Sequence, residues 1–374
     1  MNDNVDMMTF DDIEIRRPDL AENYLTLLRS QPGRPIALFA PRRVGKTHFL
    51  DHDLTPAAKK AGLLPVYADV WLHRSAPLMA INHALEEALD DIDVPKSTVG
   101  KIAKTPIRKV GGLGASLEFG DEPQRRALPD NPELRLDALI ARLFTAAGKP
   151  ILLMLDEIQA LGESGTGNSA IATLRAVLHK RKHQVAAVFT GSSQEALSEM
   201  MTAAGGPMYQ FAQLLNFPFL DDAYLILLAE HYKAVHPGKR LDVSALRELF
   251  VHIGFKPALM KDIVKDMSAE GITDVGVALK RFVTDDRQVA GWQAALNSLQ
   301  PLEQAVLVVL AHKLPPMGKE TIALITNLAG VKATLSKVRT ILDRLRKAGV
   351  LAKGSGDGYL IEDRLFADYI IKTH

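Results

Sequence analysis

The segment Ala40-Pro41-Arg42-Arg43-Val44-Gly45-Lys46-Thr47 follows the apolar run Pro35-Ile36-Ala37-Leu38-Phe39 and leads into His48-Phe49-Leu50. It fits G-x-x-x-x-G-K-[ST] at every defining position but the first, where alanine stands for glycine. Residues of these types in this order suit a polyphosphate. Loop N–H groups and the amino end of the next helix surround a β-phosphate, and Lys46 extends to the β- and γ-phosphates. Thr47 offers a hydroxyl to Mg²⁺, a hard cation that takes oxygen ligands. Ala40 costs little if its φ is negative and more if the turn demands a positive φ.

A second apolar run, Pro150-Ile151-Leu152-Leu153-Met154-Leu155, ends in Asp156-Glu157-Ile158-Gln159. Acidic residues at the carboxyl end of a parallel strand stand where ligands bind in open α/β sheets. Asp156 is expected to hold Mg²⁺ through its water shell, and Glu157 to take a proton from, or orient, an attacking water. By itself such a pair could cap a helix facing solvent; behind an apolar strand and a phosphate loop the metal-and-water reading takes precedence. A third run, Gln184–Phe189, ends in Thr190-Gly191-Ser192-Ser193. If its strand lies between the first strand and the Asp156 strand, a hydroxyl there meets the γ-phosphate or the water, with Thr190 best placed and Ser192 next. Ser192 or Ser193 could equally cap a helix over Gln194–Met201.

These residues need a scaffold, and the apolar runs supply one. With Leu63–Val70 they make four short buried strands, separated by amphipathic segments such as Leu78–Leu89 and Arg135–Ala146. Strand–helix alternation implies an α/β fold, a P-loop-type parallel sheet with helices on both faces, over residues 1–220. The rhythm fails over about 96–132, where Gly111–Gly120 reads as a glycine-rich edge strand or hairpin in an insertion. It lacks a following Gly-Lys pair and so is not read as a phosphate loop. Residues 221–290 read as an all-helical lid, punctuated by Gly254 and Pro257. Residues 291–374 read as a winged helix: helices over Leu302–Ala311, Lys319–Leu328 and Thr334–Ala348, the last stopped by Gly349, then a hairpin turning at Gly354-Ser355-Gly356-Asp357-Gly358.

Composition narrows the classes. The 374 residues are 47% hydrophobic and 24% charged, an ordinary globular balance large enough for two or three domains. With 45 basic and 44 acidic residues, no uniformly basic nucleic-acid wrap is expected, though one basic face is compatible. The lack of cysteine excludes disulfides, thiolate zinc sites and a cysteine nucleophile. His48, His52, His73 and His83 show no ligand spacing. Without a signal region or a run approaching the ~20 apolar residues of a membrane span, a cytoplasmic protein is expected.

Taken together, Ala40–Thr47, Leu155–Gln159 and Thr190-Gly191-Ser192 resemble the archaeal-type ATPases of the broad STAND/AAA-like group, which carry an extra catalytic glutamate. The double arginine before Val-Gly-Lys-Thr and the Asp-Glu-Ile-Gln string look typical of that family. The motifs cover about Phe10 to Phe219, and the helical piece and winged helix look like its usual C-terminal additions. The resemblance implies ATP and Mg²⁺ as cofactors and a nucleotide-controlled conformational switch. Family members often carry Gly-Gly-x-Pro in the helical region to help close the nucleotide site. Here the match is Gly254-Phe255-Lys256-Pro257, with phenylalanine for the second glycine; Pro257 is expected at the nucleotide, and Lys256 is an alternative phosphate-facing charge.

Of Arg42 and Arg43, one is expected on the phosphates and the other on a carboxylate or a neighbouring subunit. In oligomeric relatives an arginine from the region of Arg175, Lys180, Arg181 and Lys182 can reach the next subunit's γ-phosphate. Arg181 is the candidate, although basic residues near a helix end also complement its dipole. In the winged helix Lys332, Lys337, Arg339, Arg344, Arg346 and Lys347 face only Asp343, a charge pattern suited to DNA phosphates or to docking a protein. Its buried side is expected at Leu335, Val338, Ile341, Leu342 and Leu345. The expectation is a Mg²⁺-dependent ATPase, catalytic through Lys46, Thr190, Glu157 and Arg181, whose nucleotide state governs association with DNA, a partner protein or another copy of itself. The alternative is a nucleotide-gated DNA-binding or adaptor protein with little turnover.

Overall fold

The computed structural model describes residues 9–93, 127–163, 167–191, 200–202, 206, 208–353 and 358–374. The described residues fall into two compact units: those within Arg17–Ala40 and Lys46–Phe217, and those within Met1–Arg16, Pro41–Gly45 and Pro218–His374.

The unit built on Arg17–Ala40 and Lys46–Phe217 holds a parallel five-stranded sheet. Its strands are β1 (Ile36–Phe39), β2 (Leu64–Asp69), β3 (Ile151–Asp156), β4 (Val185–Gly191) and β5 (Gln213–Asn216), in the order β2-β3-β4-β1-β5. The first four stand where the apolar runs place them. All six residues of β3 are buried, as expected for a central strand covered on both faces. β5 was not expected: Gln213-Leu214-Leu215-Asn216 is short and polar at both ends, and only its pairing with β1 makes it a strand. Helices α1 (Pro18–Ser30), α4 (Pro77–Asp93), α5 (Pro132–Ala147) and α6 (Gly167–Lys180) cover the sheet, and α4 and α5 contain the two amphipathic segments named above. Their leucines and isoleucines pack with Ile151, Leu153 and Leu155 of β3 into one apolar core.

Between β1 and α4 the chain runs through α2 (Lys46–Phe49), a π-helical turn at Leu50–Leu54 and α3 (Thr55–Lys60). Pro56 has no N–H for the carbonyl four residues back, and a wider turn there relieves the clash of its ring. Arg17 lies over the Phe217 ring, 4.3 Å from its centroid, and Phe217 in turn meets Phe49, the last residue of α2, edge-on at 5.4 Å.

The second unit is helical apart from one hairpin. Helices α7 (Asp222–Val235), α8 (Val243–His252), α9 (Pro257–Glu270), α10 (Val275–Phe282) and α11 (Asp286–Asn297) precede α12 (Pro301–Ala311), α13 (Lys319–Ala329) and α14 (Leu335–Lys347). The antiparallel strands β6 (Leu351–Lys353) and β7 (Tyr359–Ile361) follow. Three helices and a hairpin are the winged-helix pattern read from the sequence, and Gly349, at φ 73°, provides the left-handed turn after α14. A terminal helix, α15 (Arg364–Thr373), was not foreseen; it buries Leu365, Phe366 and Ile370 in the core that joins α7–α14. One expectation for α14 is corrected. Val338, Ile341, Leu342 and Leu345 are buried, but Leu335, in the first turn, is 48% exposed.

Gly111–Gly120 and most of the expected insertion lie outside the described residues, as do Ser192, Ser193, nearly all of the expected Gln194–Met201 helix and 354–357 of the hairpin turn.

Candidate functional site

The carboxyl ends of β3 and β4 bring the acidic and hydroxyl residues together, because β4 lies between β1 and β3 as the reading of Thr190 required. Asp156, the last residue of β3, is 5% exposed and its carboxylate is a hub. Its Oδ2 accepts hydrogen bonds from the Thr47 hydroxyl at 2.7 Å and the Tyr67 hydroxyl at 3.2 Å. Its Oδ1 accepts from the Thr190 hydroxyl and, at 3.0 Å, from the Glu157 N–H. Charge-assisted donors on both oxygens hold the side chain in one orientation.

Glu157 follows in a left-handed backbone conformation, φ 55°, which turns the chain out of the sheet directly after the strand. Its carboxylate accepts from the Gln159 side-chain amide, and the Ile158 N–H donates to the Thr190 carbonyl at 3.0 Å, so the ends of β3 and β4 stay in step. A residue in a sparsely populated conformation directly after Asp156 marks a constrained turn.

Lys46 opens α2 and is buried, with its ammonium donating to the Ala40 carbonyl at 2.7 Å. Ala40 is not among the residues of positive φ, so its departure from glycine carries no backbone strain; Arg43 (φ 64°) and Gly45 (φ 95°) take the left-handed positions of the loop. Val44 is fully buried, Pro41 and Arg43 are exposed, and His48 lies 4.3 Å ring to ring from His52. In the other unit the Arg42 N–H donates to Glu362 Oε1 at 3.3 Å, and the Arg42 guanidinium lies against Gly349, where any side chain would collide with it.

Tyr67 is the residue that reading along the chain missed. It lies in the middle of β2, one of a run of strand formers, and nothing in its spacing couples it to Asp156. Only the parallel register that sets Asp69 opposite Asp156 brings its hydroxyl within reach. Burial, with Asp156 close by, pushes the Tyr67 hydroxyl well above its ordinary pKa, so it remains a hydrogen-bond donor.

The remaining expected residues lie elsewhere. Arg181 follows α6, ahead of the amino end of β4, whereas Asp156 and Thr190 stand at the carboxyl ends. Its Nε and Nη2 fork onto Asp137 at 2.7 and 2.9 Å and hold that carboxyl down at about 2. In this chain the guanidinium is therefore committed to an internal ion pair. In the helical unit Gly254 (φ 77°) and Phe255 (φ 55°) are both left-handed, so the phenylalanine occupies a backbone position that suits the family's glycine. Its ring offsets the strain by stacking on Phe219 at 4.3 Å and meeting Phe250 edge-on. Lys256 is buried, with its ammonium 3.4 Å from the Glu362 carbonyl, and the Pro257 carbonyl accepts from the Tyr224 hydroxyl at 2.7 Å.

On the winged helix the four candidate cations divide. Arg344 pairs with Glu303, which is 4% exposed, and Arg346 lies 4.0 Å from Asp343. Lys337 and Arg339 are exposed and, among the described residues, have no side-chain partner.

No protein-family model and no curated protein sequence matches the chain. Solved structures do. A Walker-type ATPase of Pyrococcus abyssi superposes with a TM-score of 0.58 at 16% identity, over 97% of this chain and 97% of that one. The ORC2 protein of Aeropyrum pernix, solved with ADPNP and ADP, superposes with a TM-score of 0.51 at 16% identity, over 95% of this chain and 90% of that one. The chain thus has the fold of the archaeal-type P-loop ATPases that its motifs resemble. Among the described residues no helix is long and apolar enough to cross a membrane.

Proposed function

We propose that the chain is a Mg²⁺-dependent ATPase that works as a nucleotide-controlled switch. The observation that carries this reading is the convergence of Thr47, Thr190 and the Glu157 N–H on the buried Asp156, in the unit that also holds Lys46 at the head of α2. The donor set fits the cofactors: a hydroxyl and a carboxylate are the hard oxygens that Mg²⁺ selects, and a buried ammonium suits a polyphosphate. Bound Mg²⁺ would neutralise charge on the phosphate oxygens.

The chain's own residues do the rest. Lys46 exchanges its contact with the Ala40 carbonyl for phosphate oxygens, as the motif requires. Thr47 and Asp156 would hold the metal, and Thr190, Tyr67 and the Glu157 N–H keep the Asp156 carboxylate oriented. Glu157, steadied by Gln159, accepts the proton of the attacking water. Arg181, forked onto Asp137, stands away from this chain's own Asp156, and its expected role is at the γ-phosphate of a neighbouring copy. The switch acts outward through DNA, a partner protein or another copy of the chain, and the exposed Lys337 and Arg339 are among the winged-helix cations available to phosphates.

The test is phosphate release and binding of a fluorescent ATP analogue, with and without duplex DNA. Wild type is expected to bind ATP and turn it over with Mg²⁺, and Lys46→Ala to lose both by at least about 100-fold, as electrostatic phosphate contacts allow. ATP bound without turnover, with or without DNA, would leave a nucleotide-gated binding protein.

Tyr67→Phe is expected to raise the Mg²⁺ concentration for half-maximal nucleotide binding about three- to tenfold and to leave Mg²⁺-free binding unchanged, since it removes only a hydrogen bond to the metal-facing carboxylate. An unchanged Mg²⁺ dependence would remove Tyr67 from the site.

A further inference from the structure

We propose that a cavity at the amino-terminal ends of β1, β3 and β4 is a second ligand site, for a small organic anion with an apolar body. The cavity measures about 330 Å³ and is lined by Pro35 before β1, Pro150 before β3, and Val185 at the start of β4. That volume falls within the ~300–1,000 Å³ of small-molecule sites. The candidate nucleotide residues stand at the opposite ends of these strands. Six residues of β3 at ~3.3 Å each set the two places about 20 Å apart, so this is not the phosphate site seen from behind.

The walls divide by chemistry. Leu25 and Leu28 of α1, Leu178 of α6 and Val185 of β4 make an apolar floor. Arg29, Arg34, Lys182 and His183 line the cavity as well, and among the described residues none of the lining is acidic. Arg29 is fixed by donating from Nη2 to the Ala61 carbonyl at 2.7 Å, and Arg34 by donating to Gln31 Oε1 at 3.1 Å; both retain further donors. Among the described residues Lys182 and His183 have no hydrogen-bond or ion-pair partner.

Lys182 is also placed by the backbone. Gly33 has φ +85°, and a Cβ there would lie 2.9 Å from the Lys182 Cβ, so the glycine lets the lysine stem lie against the loop before β1. Three permanent cations and an imidazole, gathered without a counter-charge among the described residues, repel one another, and an anion relieves that repulsion. The apolar part of the lining favours a ligand with a hydrocarbon body over inorganic phosphate, which would leave that part wet. A carboxylate on a short hydrocarbon chain or ring satisfies both parts.

The inference does not depend on the ATPase reading. Its test is calorimetric titration of the full chain with octanoate and, separately, octan-1-ol. Octanoate is expected to bind saturably, one per chain, and octan-1-ol at least tenfold more weakly. Lys182→Glu, on the surface, should weaken octanoate at least tenfold, and Ala186→Phe, which fills the half-buried wall, should abolish binding with the melting temperature of the chain unchanged. No saturable binding, equal affinity for the alcohol, or octanoate binding untouched by Lys182→Glu would each overturn the proposal.

Discussion

Glu157→Gln is expected to bind ATP as wild type does and to release phosphate at least about 100-fold more slowly, the lower end of what a positioned general base contributes. Asp156 and Glu157 are neighbours in sequence, but the structure divides their work. Asp156 is buried and bound on both oxygens, so its carboxylate is held in one orientation, as the proposed metal-facing role requires. Glu157 leaves the strand at φ 55° and has a side-chain amide, Gln159, beside its carboxylate. Glutamine preserves the size and polarity of the side chain and removes only its basicity, so binding and chemistry separate cleanly. The pair of measurements is single-turnover phosphate release and equilibrium binding of a fluorescent ATP analogue. Turnover surviving in Glu157→Gln would transfer the base to another residue.

Arg344→Ala should be the most damaging of the winged-helix cation substitutions, through folding rather than through a ligand. Glu303, 4% exposed, accepts the Gln300 N–H at 2.9 Å at the head of α12 and pairs with Arg344 of α14. Removing the arginine leaves a buried carboxylate with only its cap. Because the Arg344 side chain is 58% exposed, water screens part of the pair, and the loss is about 1–3 kcal/mol, short of that for a fully buried pair. A lowered urea midpoint reports it. Lys337→Ala and Arg339→Ala, exposed and unpartnered, should stay within about 0.5 kcal/mol of wild type. If the winged helix contacts DNA, these two variants lower both the affinity and the slope of its salt dependence. An unchanged midpoint in Arg344→Ala would show that the pair contributes nothing to stability and return Arg344 to the set of free cations.

Four strands, the loop that leads into α2 and the winged-helix elements were legible along the chain because each is a local pattern. A continuous apolar run makes a buried strand wherever it lies, Gly-Lys-Thr after such a run makes a helix head, and Gly349 stops α14 because no other residue turns there without strain. β5 was not legible, since a four-residue segment with polar ends becomes a strand only against β1. Nor was α15, which the shared core of the helical unit holds in place.

By itself, then, the sequence determined which candidate groups the chain carries: a lysine and threonine after a loop, an Asp-Glu pair after a strand, a hydroxyl after another. Tertiary structure decided which of these meet and which are spent. β4 lying between β1 and β3 set Thr190 on Asp156, the register of β2 set Tyr67 there too, and packing committed Arg181 to Asp137 and Arg344 to Glu303. The reason is one of range. Spacing along a chain dictates backbone conformation over a few residues, whereas hydrogen bonds between side chains 34 and 89 positions apart, as from Thr190 and Tyr67 to Asp156, depend on strand order and register that no short stretch encodes.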